Sequence, residues 1–241
     1  IAFITAGDPD LKTTVELVLA FEKAGVDVVE LGVPFSDPLA DGPTIQAASQ
    51  RALLNGTTIH KIFEAVKQIR KTSQIPLALM TYYNPVFHFG EQDFIKAAKA
   101  AGVDGVIVPD LPPEEAKDLI AFSRKADIAT VFFLSPTTTD ERIKKIAGAS
   151  TGFIYYVSLT GVTGTVKSLP SDIMKRIQRA KRATQKPICV GFGVSTASQV
   201  KAISAVADGV IVCSSIIKEI EKYRGKSDLV AKVTEFVKKL I

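Results

Sequence analysis

Three carboxylates crowd one stretch near the start of the chain: Glu30, Asp37 and Asp41 in VELGVPFSDPLADGPTIQ, Val29 to Gln46. Pro34, Pro38 and Pro43 stiffen it, so most of it can be neither regular helix nor strand. Solubility needs acids but not stiffness. A stiffened acidic loop suits carboxyl groups that must be held in place to move protons or face developing charge.

Glu30 closes a strand-like apolar run and should point to the interior or the mouth of whatever that strand builds. Burial there raises a carboxyl pKa and makes it usable as an acid or base near neutral pH. A structural ion pair is the alternative, but no Lys or Arg lies inside the other strand-like cores, and Lys186 opens the seventh run at its far end. Asp41 reads equally well as a helix cap before TIQAASQRALL. Asp37 suits an Asx turn before Pro38.

A second set of groups could hold an anion. Gly161, Thr163 and Gly164, then Gly191 and Gly193, then Ser214 and Ser215 follow three late strand-like runs. Backbone N–H groups at such turns, with a helix N-terminus, bind phosphate without a lysine. No metal set is expected: His60 lies in a helical pattern and His88 in a loop, with no ligand at metal spacing. Neither a Ser-His-Asp arrangement nor a strand-end lysine for a Schiff base is present.

These groups need a scaffold. Eight short apolar runs, IAFIT, VDVVELG, IPLALMT, VDGVIVP, IATVFFL, TGFIYYVS, KPICVGFG and ADGVIVCS, alternate with longer amphipathic segments. Leu11, Val15, Val18 and Leu19 share one helix face, as do Leu229, Val233, Phe236, Val237 and Leu240. The strand runs are apolar on both alternations, which implies parallel strands covered on both sides. KAGVDVVELGVP echoes in AAGVDGVIVPDLP and AVADGVIVCSS, as repetition of one βα unit would produce. The pattern predicts an α/β fold, a (β/α)8 TIM barrel forming a single domain over 1–241, with a doubly wound open sheet as second choice. Chemistry then belongs on the loops after the strands, of which the second and sixth are long.

Composition agrees. An apolar fraction of 46% in 241 residues supports a large core, and the net charge of +5 is mild. The basic run KRIQRAKRATQK, Lys175 to Lys186, lacks stacking aromatics and reads as a solvated helix face, not a nucleic-acid site. Cys189 and Cys213 sit in apolar runs and read as reduced core thiols. No apolar stretch spans a membrane and no signal sequence opens the chain. A soluble cytoplasmic protein is expected. The chain begins on IAFIT without methionine, so a short N-terminal segment is expected to be missing; a transit peptide there would make it plastidial.

ELGVPFSDPLADGPTIQ (Glu30 to Gln46), ITAGDPD (Ile4 to Asp10), YYVSLTGVTG (Tyr155 to Gly164) and VGFGVS (Val190 to Ser195) closely resemble the tryptophan synthase alpha subunit family, in the same order along nearly the whole chain. The resemblance implies a (β/α)8 barrel that cleaves indole-3-glycerol phosphate to indole and glyceraldehyde 3-phosphate without a cofactor. By that resemblance Glu30 and Asp41 are the catalytic carboxylates: Glu30 shuttles the proton, and ionised Asp41 accepts a hydrogen bond from the indole N–H. Tyr155 matches an active-site tyrosine supporting Asp41 or the substrate. Phe3, Ile107 and Phe192 match positions around the indole ring; Gly164, Gly193, Ser214 and Ser215 match the phosphate cradle. Thr163 matches a loop-six threonine that meets the acidic loop on closure. CSS departs from a pattern that commonly has glycine in the middle, so Ser214 is expected to fit phosphate less closely while backbone donation survives.

The resemblance further implies docking on a pyridoxal-phosphate beta subunit in an alpha2-beta2 heterotetramer, the pyridoxal phosphate belonging to that partner alone. Asp37 and Asp110 match positions in communication with the partner, and Pro34 a position at the interface. The competing readings are a stand-alone lyase releasing free indole, a regulatory barrel that binds a phosphorylated ligand without turnover, and a sugar-phosphate isomerase or epimerase. The last should show a strand-end histidine, lysine or metal set, and this chain has none.

Overall fold

A computed structural model describes residues 1–157, 171–191 and 193–241. Gly161, Thr163, Gly164 and Phe192 lie outside the described residues.

Eight strands form one parallel sheet in chain order: β1 Ala2–Thr5, β2 Val29–Gly32, β3 Leu77–Met80, β4 Gly105–Ile107, β5 Ala129–Leu134, β6 Ile154–Val157, β7 Ile188–Gly191 and β8 Gly209–Ile211. A parallel bridge from Ala2 to Val212 joins the last strand to the first, with Phe3 N–H donating to the Val212 carbonyl at 2.9 Å. The sheet thus closes into the expected (β/α)8 barrel, not the open doubly wound sheet. Helices cover its outside: α1 Leu11–Ala24, α2 Pro43–Leu54, α3 Ile59–Arg70, α4 Tyr83–Phe89, α5 Glu91–Ala101 and α6 Lys117–Ala126, followed by α7 Asp140–Ala149, α8 Ser171–Ala183, α9 Ala197–Ser204, α10 Ser214–Tyr223 and α11 Leu229–Lys238.

Each strand is shorter than the apolar run that contains it, and the repeated aspartate helps to explain why. Asp104, just before β4, accepts the N–H of Leu77 at the head of β3 at 2.8 Å; Asp208, before β8, accepts that of Ile188 at the head of β7 at 2.9 Å. The side chain satisfies a backbone donor that the neighbouring strand begins too late to reach. Arg70 and Lys181 pair with these two carboxylates. The echo in the sequence is therefore a device for the N-terminal end of the barrel.

Alternation along the strands separates two cores. Ile4, Leu31, Leu79, Val106, Phe132 and Ile154 pack outward under the helices. Ala78, Ile107, Val131, Tyr155, Cys189 and Ile211 fill the interior, as the two-sided apolar pattern requires. In α1 the buried residues are Thr14, Leu17, Val18 and Phe21, while Leu11, Val15 and Leu19 are partly buried along the flanks. In α11 the face is as expected, with Leu229, Val233 and Val237 buried. The third loop is not irregular throughout: His88 sits on the short α4, exposed, and His60 is exposed on α3 against the Phe89 ring.

Candidate active site

Glu30 lies inside the barrel, completely buried, in register with Phe3 of β1 and Ala78 of β3. Neither carboxyl oxygen has a hydrogen-bond partner among the described residues. Among the described residues no cation pairs with it. Burial pushes its pKa from an ordinary 4.5 up to about 8. At neutral pH this side chain carries a proton that it can donate.

Two glycines shape the space around it. A Cβ on Gly32 would stand 2.5 Å from Phe3 Cζ, and one on Gly191 would stand 2.8 Å from the Tyr155 hydroxyl. Absence of both side chains lets the Phe3 and Tyr155 rings lie across the interior. Tyr155 packs on Phe133, ring centroids 4.8 Å apart, and its hydroxyl faces Cys213 Sγ at 3.8 Å. Burial, reinforced by Cys213 and Glu30, pushes the Tyr155 hydroxyl well up, so it stays a neutral donor. Cys189 and Cys213 are free thiols. Burial pushes Cys189 up to about 12 and raises Cys213 as well.

Asp41 does not cap a helix. Gly42 is the N-cap of α2 and Pro43 opens the helix, so the Asp41 side chain remains available. Its backbone carbonyl receives Gln46 Nε2 at 2.8 Å, which folds the loop end down. Burial raises the Asp41 carboxyl and a hydrogen bond from Tyr82 opposes that rise. The Tyr82 hydroxyl also accepts the Ala40 N–H at 2.9 Å, and its ring stacks at 5.6 Å on Phe35. Tyr82 thus supports Asp41, while the Tyr155 hydroxyl faces Cys213. The sequence placed Tyr82 in the third mouth loop, but two adjacent tyrosines there gave no sign of which one turns inward.

Between these loops lies a cleft walled by Phe3, Val33, Ile45, Met80 and Pro109 and carrying Asp41 on one side. An apolar slot with one carboxylate suits a flat aromatic ring bearing an N–H.

Ser214 and Ser215 open α10; the next two N–H groups, of Ile216 and Ile217, donate to the carbonyl of the capping Cys213 at 3.0 and 3.2 Å. The Ser215 hydroxyl donates to the Val194 carbonyl at 2.8 Å, tying the loop after β7 to this helix, with Gly193 exposed beside it. The Ser215 hydroxyl proton is therefore engaged within the protein. Ile107 lies buried in the interior, and Asp37 is exposed and receives the Ser36 hydroxyl. Asp110 is exposed and accepts the Tyr83 N–H at 2.9 Å, whereas Pro34 is buried. Among the described residues no cluster of three or more His, Cys, Asp or Glu is placed to hold a metal, and no helix is long and apolar enough to cross a membrane.

A closed parallel barrel with a buried, protonated carboxyl inside and a second carboxylate on a mouth loop defines an enzyme of the acid/base type. The family profile described as tryptophan synthase alpha chain matches residues 1–241. The tryptophan synthase alpha chain of Geotalea daltonii is 51% identical over 226 residues, covering 94% of this chain and 86% of that protein. That of Thermoanaerobacter sp. strain X514 is 47% identical over 240 residues, 100% and 91% of the two. A solved structure of the tryptophan synthase a2b2 complex from Pyrococcus furiosus superposes with a TM-score of 0.92 at 41% identity, covering 99% of this chain and 96% of that one. The chain belongs to the tryptophan synthase alpha chain family. It is a lyase that cleaves indole-3-glycerol phosphate to indole and glyceraldehyde 3-phosphate.

Proposed function

We propose that Glu30 and Asp41 carry the retro-aldol cleavage between them, and that the indole passes to a tryptophan synthase beta subunit. The observation behind the first part is the unpartnered, buried Glu30, protonated at neutral pH. Cleavage requires C3 of the indole to gain a proton and the side-chain hydroxyl to lose one. Glu30 gives its proton to C3 and, as carboxylate, takes one from the hydroxyl. Positive charge grows at the indole nitrogen meanwhile, and ionised Asp41 accepts a hydrogen bond from that N–H. The neutral Tyr155 hydroxyl orients the reacting side chain near Glu30.

The ring lies in the slot bounded by Phe3, with Ile107 and Phe192 completing its surroundings. Phosphate rests on the N–H groups of Gly164, Gly193, Ser214 and Ser215. Thr163 meets the acidic loop when the site closes and excludes water. The chain needs no cofactor for this; pyridoxal phosphate belongs to the partner.

A partner surface has support at the barrel mouth. Leu39 on the acidic loop is 83% exposed and Phe87 on α4 is 68% exposed, large apolar side chains in the same rim of loops. Asp110 holds the Tyr83 N–H, and neighbouring Tyr82 holds Asp41. A partner touching Asp110 or Asp37 therefore acts on the loops that place the carboxylate. The Pyrococcus furiosus relative is described as an a2b2 complex with mutual activation, and we assign this chain the same assembly, in the cytoplasm.

Indole release by the purified chain, with and without a beta subunit, tests the reading. Slow turnover that rises on adding the partner supports it. Turnover indifferent to the partner would assign a free-standing lyase instead.

A further inference from the structure

We propose that Thr5 is a specificity-determining residue of the ring slot, whose hydroxyl recognises a hydroxyl group on the benzo ring of an indole. The inference rests on the assignment of the slot to the indole ring.

Thr5 ends β1, on the same alternation as Phe3, so both side chains turn into the barrel. Its register partner on β2 is Gly32, which has no side chain to cover it, and both line the slot. Thr5 is 1% exposed and its Oγ has no hydrogen-bond partner among the described residues. Two neighbouring polar groups of the same slot are engaged. Thr81 donates to the Tyr82 carbonyl at 3.2 Å, and the Tyr82 hydroxyl is shared between Ala40 and Asp41.

A buried hydroxyl with no partner is a standing cost to the fold. Valine has nearly the same shape, suits a strand and carries no such cost. The hydroxyl is therefore explained by what enters the slot. It both donates and accepts, so it matches a ring hydroxyl, which does the same. Asp41 is acceptor-only when ionised and takes the indole N–H, leaving Thr5 as a second polar contact on the β1 side of an otherwise apolar wall. Two fixed polar points would orient a substituted ring in its plane.

The test is competitive inhibition of indole-3-glycerol phosphate cleavage by indole and by 4-, 5-, 6- and 7-hydroxyindole, in the unaltered chain, Thr5→Val and Thr5→Ser. At least one hydroxyindole should bind the unaltered chain more tightly than indole. Its advantage should fall by about tenfold in Thr5→Val, as expected when one buried hydrogen bond is withdrawn. Indole itself should compete within about twofold in all three proteins, and Thr5→Ser should keep the advantage. An unchanged ratio in Thr5→Val for all four hydroxyindoles overturns the role of Thr5. Failure of indole to compete in the unaltered chain would instead overturn the ring-slot assignment, and this proposal with it.

Discussion

Arg51 and Asp8 meet through two parallel hydrogen bonds, Nε to Oδ1 and Nη2 to Oδ2, both 2.8 Å. The Asp8 side chain is wholly buried while Arg51 keeps 15% of its surface, and its remaining nitrogen reaches Glu221 on α10 at 3.1 Å. One guanidinium thereby joins the loop after β1, the helix α2 that follows the acidic loop, and the helix α10. A fork-shaped donor satisfies both carboxyl oxygens, which Lys could not do.

Arg51→Met should destabilise the chain by about 3–5 kcal/mol, because it leaves a buried carboxylate without its counter-ion. Urea unfolding measures this directly. Adding Asp8→Asn to Arg51→Met should restore part of the loss, since the orphaned charge is then gone. A double variant no more stable than the single one would show that the pair is not coupled.

Much of this architecture is legible in the chain. Eight apolar runs became eight strands because a parallel barrel buries both faces of every strand, and few folds besides a covered parallel sheet demand that two-sided pattern. Glu30 was visible for the same reason: a lone acid in a buried strand has no structural excuse without a cation nearby. Asp41 was ambiguous because Asp-Gly-Pro serves equally for a cap and for a loop; only the backbone shows that Gly42 takes the cap position. Tyr82 was illegible because Tyr82 and Tyr83 are chemically equal in sequence. The turn into α4 buries the first and leaves the second half-exposed. Ser215 was expected to serve phosphate through its backbone, and the bond that engages its hydroxyl with Val194 depends on a contact across 21 positions that no local pattern announces.

Tyr82→Phe separates the two tyrosines. The Tyr82 hydrogen bond holds the Asp41 carboxyl below the value that burial alone would give. Its removal should raise the Asp41 pKa and move the acidic limb of the kcat/KM profile to higher pH. Loss of a bond to a charged group should lower kcat/KM by roughly tenfold to a hundredfold at neutral pH. Tyr155→Phe should leave that limb in place, because Tyr155 faces Cys213 and Glu30 rather than Asp41. An acidic limb that moves with Tyr155→Phe and not with Tyr82→Phe would reverse the assignment.

Glu30→Gln should produce opposite effects on rate and on stability. Gln cannot give up and recover a proton, so kcat should fall by about 10² to 10⁴. In the unaltered free enzyme the protonated form is the donor, and kcat/KM should decline as pH rises through about 8. Stability follows from the same shift. The folded chain holds this proton up to about pH 8, whereas the unfolded chain releases it near the ordinary 4.5. Between those values the folded state binds more protons, so stability is full below the lower one and drains as pH climbs toward the upper, by on the order of a few kcal/mol. Gln is neutral throughout and lacks this slope. Denaturant melts of both proteins from pH 5 to pH 9 should therefore show Glu30→Gln gaining relative stability with rising pH. Parallel curves would mean that Glu30 ionises normally in the folded barrel, and the proton-donor role would fall with them.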